Sequence, residues 1–170
     1  MPELTDLPYL PYIDDQGLIP AFPPRQVGVF AIFDAEQHLQ FVGYSRDIFI
    51  SLKQHLVRQP QACQWVKIHL IDKPNRTILE EIVAAWITGQ NPPGNGDAAQ
   101  SWQESIDCRY AMTAEETAQF PELEEIAQSK LLKQVARRVE ATIMEKLQAR
   151  GLQTEIRFNP KTKERGLLDI

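Results

Sequence analysis

Two short apolar, β-branched runs, separated by a short turn, constrain this chain more than any other feature. Residues 27–33 and 39–43 flank Asp34-Ala35-Glu36-Gln37. Runs of this length around such a turn specify an antiparallel hairpin. Immediately downstream, Ser45 or Asp47 can cap a helix reaching to about Arg58, with Ile48, Leu52, His55 and Leu56 on one face. Gln59-Pro60 ends it, and residues 65–71 alternate in part and read as a strand. After the turn Asp72-Lys73-Pro74-Asn75, Pro74 suits the start of a second helix. That helix carries Ile78, Leu79, Ile82, Val83, Trp86 and Ile87 as a wide apolar face and stops at Gly89.

The core therefore reads β-β-α-β-α. The expected class is α/β (α+β), with a small mixed sheet, flanking helices and a long C-terminal helix. Residues 1–26 form a proline-rich arm. It holds six of the twelve prolines, yet is too apolar for a solvated linker. The arm is expected to lie on its own domain or on a second copy. Residues 27–96 form the core. Residues 97–170 supply a loop, the long helix and two short terminal strands (residues 153–158 and 167–170) packed on it. The long pattern over 113–150 opens on a capping box, Thr113 with Glu116, and has a break near Pro121.

Composition narrows the function classes. Net charge is -5, which argues against a dominant basic field for non-specific nucleic-acid binding. Cys63 and Cys108 show no metal spacing and no disulfide framework. His38, His55 and His69 are too far apart in sequence to make a metal pair, and phosphate-loop and HExxH patterns are absent. No signal-peptide pattern and no apolar run of membrane-spanning length is present, so a cytoplasmic setting is expected.

One constellation stands out. Gly28-Val29-Phe30 lies on the first strand, Phe41-Val42-Gly43 on its partner, and His55 near the end of the next helix. This resembles the GIY-YIG nuclease family over roughly residues 26–95, in the style of degenerate members found in cyanobacteria. The resemblance implies that Phe30 and Phe41 stand where the family has tyrosines, Ser51 where it has an arginine, and Val83 where it has a metal-binding glutamate. Phenylalanine has no hydroxyl to handle a proton, serine is no fixed cation, and valine cannot ligate a hard divalent ion. Only His55 survives as a catalytic candidate. Tyr44 and Arg46 are substitutes for the lost phenol and cation, and Glu80, one turn before Val83, for the lost metal ligand.

The resulting expectation is a non-catalytic GIY-YIG-like interaction module with a protein or nucleic-acid partner and no cofactor. The alternative is a rearranged endonuclease using Mg²⁺. Lys130, Lys133, Arg137 and Arg138 on the long helix are candidates for phosphate contact. Acidic residues precede them, an order that also suits the helix dipole. A homodimer through the arm or the long helix is the third expectation, and no membrane partner is expected.

Overall fold

The computed structural model describes residues 2–73 and 75–170. In chain order the elements are β1 (Leu10–Pro11), β2 (Gly28–Phe33), β3 (Leu39–Ser45), α1 (Ile48–Arg58), β4 (Trp65–Leu70), α2 (Arg76–Ile87), α3 (Ala99–Gln103), β5 (Ile106–Asp107), α4 (Ala114–Gln119), α5 (Glu125–Ala149), α6 (Pro160–Lys163) and β6 (Leu167–Leu168). The hairpin forms, with Phe30 opposite Gly43 and a register irregularity between Ile32 and Phe33. The sheet order is β1-β4-β2-β3.

Every pairing in this sheet is antiparallel, which corrects the expected mixed sheet. A strand–helix–strand unit such as β3-α1-β4 ordinarily places two parallel strands in one sheet. Here β2 is inserted between them, so β3 and β4 run parallel but never touch. Because β2 is central and covered on both faces, all six of its residues are buried. This is why it reads as an unbroken apolar run rather than an alternating one. Val29, Ala31 and Phe33 meet Leu79, Ile82 and Trp86 of α2 on one face. Phe30 and Ile32 meet Ile48, Leu52 and Leu56 of α1 and Val135, Val139 and Ile143 of α5 on the other.

Local signals explain the boundaries. Asp47, not Ser45, caps α1 by accepting from the Ile50 N–H. Asn75 caps α2 through the Thr77 and Ile78 N–H groups. The helix-starting role expected of Pro74 lies outside the described residues. The Thr113–Glu116 capping box is present at α4, and the long pattern breaks before α5. Two expectations fail near the end. Residues 153–158 form no strand, and Leu167–Leu168 pairs instead with Ile106–Asp107, inside the stretch read as loop.

The arm follows the sheet's outer edge. Leu10 pairs with Val66, which occupies the free edge of β4. The Tyr12 hydroxyl, wholly buried, donates to the Leu52 carbonyl at 2.6 Å. Farther along, the Gly17 carbonyl accepts from Gln153 N at 2.7 Å. Gly17 has φ +81°, and an added Cβ would meet the Gly151 carbonyl. Only glycine meets both demands. On the opposite edge, Asn95 serves β3 as a one-residue strand. Its Oδ1 accepts from Val42 N and its Nδ2 donates to Val42 O, both at 2.8 Å.

Candidate functional site

The two phenylalanines that stand in the tyrosine positions converge on one aromatic box. Phe30 of β2, Phe41 of β3 and Trp102 of α3 surround His55 of α1. The ring centroids of Phe30, Phe41 and Trp102 lie 5.4, 4.5 and 6.2 Å from the imidazole. Trp102 stacks on Phe41 with planes 8° apart. Gly43 lets this box close, since a Cβ there would come 2.7 Å from the Phe41 ring. His55 is buried, and its Nδ1 has no hydrogen-bond partner among the described residues. Burial, reinforced by the Arg58 charge and offset a little by the Trp102 backbone, pushes its pKa down to about 3. A neutral imidazole sealed under three aromatic rings has neither the basicity nor the access to move a substrate proton at neutral pH.

The remaining candidates do not join His55. Ser51 donates to the Ser45 hydroxyl at 2.6 Å. Val83 packs half-buried on the α2 side of the sheet, while Glu80 is exposed and holds Arg76 at 2.7 Å. Tyr44 and Arg46 line an open cleft of about 750 Å³ beside Arg25, Asp47 and Arg76. His55 and Glu80 are absent from its lining, so the suggested substitutes assemble no single centre. On α5, Arg138 is committed to Glu116 by bonds of 2.9 and 2.6 Å, and Lys130 and Lys133 share a shallow groove with Glu125 and Glu164. A surface trio, half-buried Asp34 with exposed Glu36 and His38, brings potential ligand atoms within 4.8 Å of one another. Asp34 there already accepts from the Glu36 and His38 N–H groups of its own turn.

Trp102 and the cleft arginines Arg25 and Arg76 escaped sequence reading. Trp102 stands in a five-residue helix with no period to reveal it. The cleft draws on residues 25, 44–47 and 76, whose proximity no linear spacing records.

Both cysteines are free and buried. Cys63 is fully enclosed, its thiol donating to the His55 carbonyl at 3.5 Å, and burial drives its pKa far above the ordinary range. Burial, with the Asp107 charge, pushes Cys108 up to about 12. Nucleophilic thiols need the opposite setting, exposed and electropositive.

No protein-family model matches the chain. Over 98 residues it is 35% identical to a curated Arabidopsis thaliana protein described as bifunctional monothiol glutaredoxin-S16, chloroplastic. The match takes in 54% of this chain and 32% of the relative. The chain thus spans about a third of the length of the protein it matches. This finding corrects the resemblance drawn from the sequence. The described relative is a monothiol glutaredoxin, so the GIY-YIG assignment falls, together with the GIY-YIG interaction module, its degenerate nuclease site and the endonuclease alternative. The residues concur on the chemistry, since Phe30, Phe41, Ser51 and Val83 pack or bond internally. Among the described residues no helix is long and apolar enough to cross a membrane.

Proposed function

We propose that this chain serves a glutaredoxin-linked redox function without supplying the reactive thiol, as the accessory part of a bifunctional arrangement. The observation that carries this reading is the burial of both thiols in a chain similar to a monothiol glutaredoxin. A thiolate attacking a disulfide must be ionised near neutral pH and reachable. Cys63 and Cys108 are neither. The relative is described as bifunctional, and the match covers 32% of its length. An accessory role satisfies the similarity and the thiol chemistry together.

The test has two arms. A thiol-reactive dye applied to the native protein should label neither cysteine at a rate matching a free thiol, and should label both after unfolding. The native chain alone should not reduce a small mixed disulfide of glutathione, and should bind a separately purified monothiol glutaredoxin in calorimetry. Disulfide reduction by the chain alone that Cys63→Ser or Cys108→Ser abolishes would overturn the reading, as would failure to bind the glutaredoxin.

A further inference from the structure

The cleft between the start of α1 and the start of α2 is a built cationic pocket in an acidic chain. Arg25, Arg46 and Arg76 reach it from three separate segments, against one lining carboxylate, Asp47. Across the whole chain the balance is -5. Such a reversal of sign in a concave site concentrates anions. The carboxylate is itself occupied, accepting from Arg25 N at 3.1 Å and from Ile50 N at 3.2 Å. Its bond to the Arg25 N–H helps hold that residue at φ +64°, a left-handed conformation unusual for arginine. Backbone held in such a region often marks a ligand clamp. Arg76 is already held at its Nε by Glu80 at 2.7 Å, whereas Arg46 is exposed.

The shape adds a second requirement. Val27 and Leu79 are buried residues forming an apolar floor, and Tyr44 presents an aromatic ring 38% exposed. A volume of about 750 Å³ is in the range of pockets for small organic ligands. Guanidinium groups bind both carboxylates and phosphates. A planar carboxylate presents its lone pairs in a single plane. A tetrahedral phosphate offers oxygens on several sides. The floor and Tyr44 then suit a flat ring carried by the same ligand.

We infer that this cleft binds a small phosphate monoester bearing a flat ring, of the nucleoside monophosphate class, with Arg25, Arg46 and Arg76 on the phosphate and Tyr44 on the ring. This goes beyond the accessory redox reading and stands independently of it. The probe is adenosine monophosphate, titrated calorimetrically into the full chain at low salt. Binding is expected, weakened about tenfold or more by Arg46→Ala, as for loss of a charge-assisted contact. Arg46→Lys should recover part of it. Since Arg46 is exposed, the variant's thermal midpoint should match the parent's, which separates lost binding from lost folding. Inorganic phosphate in excess should displace the probe, and adenosine should bind far more weakly. The proposal fails if millimolar probe gives no binding, if Arg46→Ala leaves affinity unchanged, if adenosine binds equally well, or if phosphate does not compete. Preference for a short single-stranded oligonucleotide over the monophosphate also overturns it, assigning the cleft to a polymer.

Discussion

His55 combines an unpartnered ring nitrogen with near-complete burial, and this has a thermodynamic consequence. In the unfolded chain an imidazole titrates near 6.5, whereas here it is pushed down to about 3. Below pH 6.5 the unfolded state binds a proton that the folded state refuses. Stability therefore falls with acidification from 6.5 toward 3, by ~1.4 kcal/mol per pH unit from this residue. His55→Leu should flatten the slope of urea-denaturation stability between about pH 6.5 and about pH 5, before most carboxylates titrate. An unchanged slope would show that the imidazole is not the source. The sequence placed His55 on the apolar face of α1. It did not show the lid, because Trp102 arrives from a segment without periodicity.

Among the elements, those with strong local punctuation were the readable ones. The hairpin, α1, β4 and α2 each pair an apolar pattern with a cap or breaker such as Asp47, Asn75 or Gln59-Pro60. Strand direction was not readable, because β2 enters between β3 and β4 and nothing local in β4 specifies its neighbour. Residues 153–158 alternate like a strand but find no partner, and α6 follows them instead. The free edge of β3 offers an element-level test. Asn95→Ala leaves the Val42 N–H and carbonyl without their partner, and Val42 is only 1% exposed. The cost should be about 2–4 kcal/mol, from two buried polar groups left unsatisfied, and thermal or denaturant unfolding would measure it. Asn95→Asp retains the acceptor but not the donor and adds a charge, so it should not restore stability. A variant as stable as the parent would show that water replaces the amide without loss.

Across the whole molecule, the arm is what makes the edge of β4 safe. It pairs there through Leu10, buries Tyr12, and accepts at the Leu4 carbonyl from Lys67 and at the Pro2 carbonyl from the Trp86 indole N–H. Removing residues 2–13 should lower the unfolding midpoint and open β4 to pairing with a second copy, visible as self-association in sedimentation velocity. A truncated chain that stays monomeric and equally stable would show that the arm is dispensable. The prolines and apolar residues of this stretch declared an extended, docked segment. The docking site was not legible, since it is shared among β4, α1, α2 and the stretch after α5.

That seam between Gly17 and Gln153 also sets an order of events. On the ribosome, residues 10–19 emerge well before any of their partners. Leu10 must wait for Val66, and the Gly17 carbonyl waits for Gln153, which follows the entire length of α5. Contacts so distant along the chain are closed late because the intervening loop must first be ordered. Residues made before their partners in this way are therefore among the last to be secured. Until the arm docks, the β4 edge stands uncovered, which exposes incompletely folded chains to misassembly.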